Sequence, residues 1–500
     1  MKFKEDAPFR CASSTMTKAD IHQTLQAQYS LDDMVCIADI ETVEQLKEYE
    51  AQGYEAGFTR SQFMNRFPHI AVEHIYCIRT TFVPVGLIYL DEEQYICIHT
   101  SLFGGKDITN KTDEEFEKVL SEIINRRIEA VRNKEYHVLF YGMNSEDEGN
   151  IQMRVLHNLI KNEKPCKEIY QSFVDVYSFC DCGIAQISLE DVKRVCKGKS
   201  KGQQDETLKR MSQLPDIITI YRGEGSSSTP YENAFSWTTD INTAYFFAYW
   251  RHSKSFRLVT GTVNKMDVIE YLTDRGESEV IVLPENVTAS QRVQCNVDWF
   301  VTAISSDYAG FPAFEYNAAD IKMKVKELYD AFGISSRDHD WKHSCRVAFY
   351  ASFLFRCQYF IEHMSAQKKT KAHLIKFYNE LMQAAIWHDV SRESDECHGV
   401  ASYAVFKENN PDDEIIQFLV ENHNIDDEDA KVRFKECFNS YSSKDRKIIW
   451  NMFCMLKDAD ALDRLRIDRM SKDCLDVKRL RLEESLDIVC VAGALQDMDF

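Results

Sequence analysis

The chain has 500 residues, of which 44% are hydrophobic and 28% charged, and its formal net charge is −20. This length predicts two to four domains. An acidic surface repels phosphate backbones, so the net charge excludes broad nucleic-acid binding. A locally basic pocket for one nucleotide remains compatible with this net charge. No apolar run approaches the roughly 18 residues that a membrane span needs. The N-terminal stretch lacks the apolar core of a secretory signal, so we expect a cytoplasmic protein.

The first 110 residues predict a small α+β domain without a chemical motif. TVEQLKEYEAQ has a helical pattern, and VGLIYL with YICIHT predicts a hairpin that turns at DEEQ. Residues 111–212 predict a helical lobe, in which TDEEFEKVLSEIINRRIEAVRN begins with a Thr-x-x-Glu capping signature. The segment CKGKSKGQQDET, residues 196–207, is rich in Gly and Lys and predicts a loop. Cys180 and Cys182 form the one close cysteine pair, and we expect ordinary reduced thiols.

The pattern changes to short strands between residues 213 and 310. DIITIYRGEG, AFSWTT, FRLVTGTV and SEVIVLP are runs with β-propensity that are separated by turn residues. From about 315 to 495 the pattern is helical, and GFPAFEYNAAD, residues 310–320, marks the boundary. The fold class predicted is therefore multidomain α+β with an all-α bundle at the C-terminal end.

Three polar motifs follow one another in the strand-rich segment: Arg222 in YRGEG, Ser236 in FSWTT, and Glu277 with Glu279 in ESE. Side chains two apart share one side of a strand, so the two glutamates are expected to face one cleft. A carboxylate beside a sugar stabilises the oxocarbenium-like transition state of glycosidic cleavage. An arginine can hold a diphosphate through paired hydrogen bonds. The set suits a nucleotide with a scissile N-glycosidic bond, which NAD has.

The order Arg, Ser-x-Thr, Glu-x-Glu resembles the mono-ADP-ribosyltransferases of the arginine–serine–glutamate type over roughly residues 215–290. SWTTDINTAYFFA adds an Ala-x-x-Phe-Ala element that is common after the serine strand of that family. The resemblance implies a split β-sandwich core behind a helical lobe, with NAD as substrate. It implies that Ser236 braces the site, that Glu279 stabilises the oxocarbenium and that Glu277 prepares the acceptor. The NAD-binding residues that it implies are Arg222, Gly223, Ser236, Thr238 and Glu279.

A second constellation lies on the C-terminal helices. The residues are His339, His343 and Arg346 in HDWKHSCRVAFYA, the adjacent pair His388–Asp389, His398, His423, and Asp458, Asp460 and Asp463 in LKDADALDRLR. An imidazole and a carboxylate at the end of an apolar helix need partners, and a divalent metal satisfies both. Mixed nitrogen and oxygen ligands suit Mn, Fe, Mg or Zn.

This pattern resembles the HD-domain metal-dependent phosphohydrolases over about residues 320–480. The metal ligands that the resemblance implies are His343, His388, Asp389 and Asp460. Asp460 is preferred to Asp458 because the family pattern places the ligand directly after Ala and two residues before Leu. His398 and His423 match additional histidines that bind phosphate, act as an acid or hold a second metal. Arg346 is expected to pair with a carboxylate or with the substrate.

The two resemblances together imply a bifunctional enzyme. It would transfer ADP-ribose, or a derivative, from NAD to an acceptor protein, with an arginine side chain favoured and a ubiquitin-like target compatible. The helical domain would hydrolyse a phosphoester in a nucleotide or in the ADP-ribosyl product. Such an enzyme is expected in the bacterial cytosol or, if delivered as an effector, in the host cytosol. Two alternatives stay open: a nucleotide sensor without turnover, and an HD hydrolase with a non-catalytic transferase-like scaffold.

Overall fold

A computed structural model describes fourteen stretches of the chain. They are residues 34–54, 56–78, 87–99, 112–140, 145–180, 186–226, 228–250, 255–273, 275–305, 318–332, 340–361, 367–392, 398–467 and 474–495. The chain is α+β, with two antiparallel sheets and a helical C-terminal region, as predicted. Among these residues, no helix has the length and apolar character needed to cross a membrane.

The secondary-structure elements are numbered here in chain order. The strands are β1 (Met34–Cys36), β2 (Ile75–Ile78), β3 (Leu87–Asp91), β4 (Ile96–His99), β5 (Ile217–Glu224), β6 (Ser236–Thr238), β7 (Arg257–Asn264), β8 (Val268–Leu272), β9 (Glu279–Val282) and β10 (Thr288–Val293). The first ten α-helices are α1 (Val43–Ala51), α2 (Arg60–Arg66), α3 (Asp113–Asn133), α4 (Ser145–Asn162), α5 (Lys167–Phe179), α6 (Leu189–Cys196), α7 (Lys201–Arg210), α8 (Ile241–Tyr249), α9 (Val297–Ser305) and α10 (Ala318–Phe332). The remaining ones are α11 (Trp341–Phe355), α12 (Lys368–Trp387), α13 (His398–Asn409), α14 (Glu414–Asn422), α15 (Asp427–Cys437), α16 (Ser443–Asp463), α17 (Glu483–Asp487) and α18 (Val489–Leu495).

The described residues form two compact units. The first contains those up to 218 together with 232–236 and 264–286, and the second contains 219–231, 237–263 and those from 287 onward. The predicted domain boundaries at 110 and 310, and the predicted division of the middle domain at 212 into a helical lobe and a strand core, stay predictions. Residues 306–317, around the last boundary, lie outside the described residues.

Local sequence signals account for most elements of the first unit. The predicted hairpin is formed by β3 and β4, which pair antiparallel, and the helix predicted in TVEQLKEYEAQ is α1. A reciprocal capping box of Thr112 and Glu115 begins α3. The loop predicted for residues 196–207 is wrong, because α7 begins at Lys201. There Ser200 and Gln203 form another capping box, which satisfies the first backbone N–H groups despite the glycine in the first turn.

The strand-rich segment divides between the units. In the first unit β9 pairs antiparallel with β8, with Glu279 opposite Leu272. The second unit contains β7, β10 and most of β5 and β6, in the order β10-β7-β5-β6, while Ser236, the first residue of β6, counts with the first unit. The sequence patterns indicated β5, β6, β7 and β9 but missed two strands. In β10, TASQRV, polar and apolar residues are mixed, whereas β8, VIEYL, has the β-propensity of Val, Ile and Tyr and could have been predicted.

One core holds the second unit together. Ala244, Tyr245 and Tyr249 of α8 are buried in the same apolar cluster as the C-terminal helices. Gly493 of α18 lies directly on the Tyr249 ring, where an added Cβ would meet ring carbon Cγ at 2.5 Å. The helix that follows the serine strand and the C-terminal helices therefore fold as one body, so functional tests require the full chain.

Glu380, on α12, is a buried carboxylate whose ionisation opposes folding. Its nearest cation, the Lys376 ammonium, is 3.4 Å away, and no described donor hydrogen-bonds to either carboxylate oxygen. Burial, together with the charge of Asp413, raises the pKa of Glu380 from 4.5 to about 7. The pKa of Glu380 is higher in the folded chain than in the unfolded chain, so the folded chain is favoured when Glu380 is neutral. This contribution to the free energy of unfolding is complete below about pH 4.5 and is lost as the pH rises through about 7.

We expect Glu380→Gln to raise the free energy of unfolding at about pH 8 by on the order of 2 kcal/mol relative to the wild-type chain. The two chains should be nearly equally stable at about pH 4.5, since Glu380 is then neutral in the folded chain and about half neutral in the unfolded one. Urea unfolding at the two pH values measures the difference. Glu408→Gln, at an exposed position of α13, is the control and should leave the pH dependence unchanged. An equal gain at both pH values would contradict the ionisation argument.

Candidate functional site

Helix ends carry the predicted metal ligands of the second unit. The Asp340 side chain caps α11 by accepting a hydrogen bond from the backbone N–H of His343, at 3.1 Å. His388 is the C-cap residue directly after α12, and Asp389 follows it. Asp460 lies in the last turn of α16. Three helices that are distant in sequence thereby bring these four side chains together.

The four side chains converge on a small volume. The two imidazole Nε2 atoms of His343 and His388 are 3.3 Å apart, and His343 Nε2 is 3.3 Å from Asp389 Oδ2. Asp460 Oδ1 lies 3.5 Å from His343 Nε2 and 4.0 Å from His388 Nε2. The side chains of the first three are completely buried, whereas that of Asp460 is 32% exposed and provides access from solvent.

His343 and His388 each use Nδ1 for a hydrogen bond that points away from this group, so Nε2 of each ring points toward its centre. His388 Nδ1 donates to the carbonyl oxygen of Ala385 at 2.8 Å, and His343 Nδ1 donates to Asp463 Oδ2 at 2.8 Å. Burial lowers the pKa of His388 to about 4, so that ring is neutral. Burial also lowers the pKa of His343, but hydrogen bonds to Asp389 and Asp463 outweigh it and raise it to about 9. These acceptors need a proton or a cation between them, and mixed imidazole and carboxylate donors fit a divalent metal ion.

A second group of acceptors adjoins the first. His398 Nε2 and His423 Nε2 are 3.0 Å apart and lie 3.3 and 3.4 Å from Asp389 Oδ1. His423 Nδ1 donates to the carbonyl oxygen of Val420 at 2.7 Å, which directs Nε2 inward. Asp389 thus offers Oδ2 to the first group and Oδ1 to the second. Within the described part of the chain these are the two groups with the spacing of a metal site.

Asp463 lies one turn after Asp460 on the same helix, and the sequence pattern predicted no role for it. Its buried carboxylate accepts from His343 Nδ1 and from Arg346, whose Nε is 2.6 Å from Oδ1. Arg346 thus pairs with a carboxylate. Burial raises the pKa of Asp463, but the hydrogen bonds from His343 and Arg346, together with the arginine charge, outweigh it and lower the pKa. Such a carboxylate fixes the tautomer and ring orientation of a metal-binding histidine.

We expect Asp463→Asn to weaken divalent-metal binding by on the order of 10- to 100-fold, since His343 Nδ1 loses its charged acceptor. Competition with a chelating dye measures the metal affinity directly. Asp458→Asn is the matched control. Asp458 is equally buried on the same helix but accepts from Ser485 and the backbone of Arg481 and Leu482. Loss of metal affinity in both variants would contradict a specific role for Asp463.

Arg392 was also missed, because a lone arginine after a turn carries no sequence signal. Its Nη1 donates to Asp389 Oδ2 at 2.7 Å, and 27% of its side chain is exposed. A guanidinium at the edge of a metal-type site is suited to an oxygen of a substrate phosphate. His339, from the same sequence constellation, lies outside the described residues, as does Cys182.

In the first unit, Glu279 and Ser236 lie together. Ser236 Oγ donates to Glu279 Oε1 at 2.5 Å, and the Tyr177 hydroxyl from α5 donates to the same oxygen at 3.0 Å. Within the described residues, no donor reaches Glu279 Oε2. Burial and the charge of Glu277 raise the pKa of Glu279, although the two hydroxyl hydrogen bonds lower it. Tyr177 was missed, because a single tyrosine in an apolar helix has the pattern of a core residue.

Glu277 is held differently from Glu279. β9 begins at Glu279, and Ser278 adopts a left-handed backbone with φ of 48°. The strand alternation expected from the sequence therefore does not extend to Glu277. Its Oε1 lies 3.5 Å from Arg275 Nε, and 18% of its side chain is exposed. Glu277 thus occupies a turn before the strand, beside a positive charge.

The other predicted NAD-binding residues belong to the second unit. Arg222 Nε donates to Glu224 at 3.2 Å, and its Nη2 donates to the carbonyl oxygen of Thr229 at 2.8 Å. Gly223 allows β5 to pack on α8, because any Cβ there would clash with the carbonyl oxygen of Ala244. Thr238 is buried, and its Oγ1 accepts a hydrogen bond from the backbone N–H of Asp240 at 3.0 Å.

Comparisons of the chain with protein-family models, with curated proteins and with solved structures found no match.

Proposed function

We propose that the chain is a bifunctional enzyme whose C-terminal helices form a metal-dependent phosphohydrolase and whose strand-rich segment transfers ADP-ribose from NAD. The observation that carries the proposal is the convergence of three buried side chains, His343, His388 and Asp389, with the partly exposed Asp460 beside them, at the spacing of a metal site. Buried imidazole and carboxylate groups are costly unless they have partners, and a divalent cation would be a partner for all of them.

The side chains around this group have separate tasks in phosphoester hydrolysis. A bound divalent ion would supply Lewis acidity and make water a better nucleophile at neutral pH. Asp463 and Arg346 hold the His343 ring in position. Arg392 binds a non-bridging phosphate oxygen. His398 and His423 hold a second cation, or one of them gives a proton to the leaving oxygen, since both nitrogens lie next to Asp389 Oδ1.

Transfer from NAD is supported by the hydrogen bonds at Glu279. Two hydroxyls fix Oε1, so Oε2 is the oxygen presented to the nicotinamide ribose. When the bond from the ribose carbon to nicotinamide breaks, nicotinamide leaves with the electron pair and the carboxylate stabilises the positive sugar. The acceptor then bonds to that carbon and loses its proton to Glu277. An arginine acceptor suits this geometry, since Glu277 can bind a guanidinium.

Incubation of the full-length chain with adenine-labelled NAD and cell lysate tests both activities. We expect nicotinamide release and labelled protein in the presence of a chelator, and phosphodiesterase activity only after addition of Mn, Fe, Mg or Zn. Mass spectrometry of the acceptor shows whether ADP-ribose or only phosphoribose is attached. Binding of NAD without nicotinamide release would favour a nucleotide sensor. Metal-dependent hydrolysis with no NAD turnover would favour a hydrolase on a non-catalytic scaffold.

A further inference from the structure

Lys457 connects α16 to the turn that follows His423. Its ammonium group donates to the carbonyl oxygen of Ile425 and, at 2.8 Å, to Asp427 Oδ1. Ile425 lies two residues after His423, in the turn between α14 and α15, and Asp427 is the first residue of α15. One lysine on α16 therefore holds both sides of this turn.

Asp427 is also fixed from a second direction. Arg481 donates to both of its carboxylate oxygens, from Nε to Oδ2 at 2.8 Å and from Nη2 to Oδ1 at 2.9 Å. Paired hydrogen bonds of this kind hold a carboxylate in one orientation. We call the hydrogen bonds of Lys457 to Ile425 and Asp427, with those of Arg481 to Asp427, the turn clamp. The Lys457 side chain is 10% exposed, so water screens its charge only weakly.

The turn clamp links the supports of the two groups of acceptors. Lys457 lies one turn before Asp460 on α16, and His423 directly precedes the clamped turn. His423 Nε2 lies 3.4 Å from Asp389 Oδ1 and 3.0 Å from His398 Nε2. These distances depend on where the end of α14 lies relative to α16, which the clamp fixes.

We propose that Lys457 is a positioning residue for His423, which holds the imidazole beside Asp389 and thereby sets the geometry of the second group of acceptors during phosphoester hydrolysis. The role in hydrolysis rests on the proposed function. The ammonium binds the turn rather than the imidazole, so its effect passes through the backbone next to His423. Without it, the Ile425 carbonyl loses this donor and Asp427 has one cation fewer, so the turn is released from α16.

The test compares the full-length wild-type chain with Lys457→Met and Lys457→Arg. Methionine keeps the apolar stem of the lysine but donates no hydrogen bond, whereas arginine keeps the charge and the donors. Lys431→Met is the matched control, because Lys431 is paired with Glu428 at 2.6 Å on α15 but is exposed. Each chain is labelled at histidine Cε1 for NMR spectroscopy, and hydrolysis of a nitrophenyl phosphodiester is measured with added Mn.

We expect Lys457→Met to shift and broaden the His423 signal, which His423→Gln identifies by its loss. In the same variant kcat should fall by on the order of 10- to 100-fold with KM nearly unchanged, since the turn clamp orients a side chain of the site without being part of it. Lys457→Arg should restore both quantities, and Lys431→Met should change neither. The signal of His343, which lies on α11 in the other group, should shift much less.

The outcomes distinguish this inference from the proposed function. If Lys457→Met leaves the His423 signal unchanged, the positioning role is overturned. If the signal shifts and Lys457→Arg restores it, but the wild-type chain hydrolyses no phosphodiester, the proposed hydrolysis is overturned and the positioning of His423 stands. A shifted signal with unchanged kcat in an active chain would overturn the role in hydrolysis. Equal changes at His343 and His423 would overturn the inference, because they would indicate a general loss of structure.

Discussion

Asp389→Asn is expected to abolish metal-dependent phosphodiesterase activity, with a loss on the order of 10³ or more. Among the described side chains, Asp389 is the one that contributes to both groups of acceptors, through Oδ2 to His343 and through Oδ1 to His398 and His423. An amide has half the acceptor oxygens of a carboxylate and no charge, so the substitution weakens every candidate metal position at once. Metal content after dialysis should fall together with activity.

A matched control separates this effect from a general loss of acidic charge. Asp429→Asn, at an exposed position of α15, removes the same charge from the same bundle and should change neither metal content nor turnover. Activity that survives in the Asp389 variant at wild-type metal content would rule out the metal mechanism. Loss of activity with metal content retained would point instead to a role for Asp389 in binding substrate.

Glu279→Gln is expected to reduce NAD turnover by on the order of 10²–10³, because a neutral amide no longer stabilises the positive sugar in the transition state. Gln is similar in size and can still accept from Ser236 and Tyr177, so the fold should be retained. Nicotinamide release in chelator is the measurement, with NAD affinity determined in parallel. Affinity should change little, because the lost interaction belongs mainly to the transition state.

Two further variants sharpen the test at Glu279. Glu277→Gln is expected to keep NAD hydrolysis while it loses transfer to the acceptor, since Glu277 lies before the strand and is partly exposed. Glu285→Gln, at an exposed ion pair with Lys193 beyond the other end of β9, should leave both activities unchanged. Equal loss of hydrolysis and transfer in the Glu277 variant would contradict the separate roles of the two glutamates.

Local signals in the sequence were sufficient to predict many of the helices and strands. Capping boxes, hairpin turns and helical spacing predicted α1, α3, the β3–β4 hairpin and the helical C-terminal region, because those elements depend on neighbours in sequence. The prediction of a loop at 196–207 was wrong from Lys201 onward. It relied on the Gly and Lys content of the segment and overlooked the helix cap at Ser200. β10 was missed because its residues have weak β-propensity and it forms by pairing with β7, whereas β8 carries a usable signal in Val268, Ile269 and Tyr271.

The candidate site shows the same division. The sequence by itself determined the order of its chemical motifs, from Arg222 to Asp460, because adjacent and alternating residues can be read without a fold. Only the tertiary structure brought Asp463 to His343, 120 residues away, and Tyr177 to Glu279, 102 residues away. Contacts over such separations depend on how helices and strands pack. A sequence motif therefore predicts which residues could react, whereas the side chains that position those residues are known only from the tertiary packing.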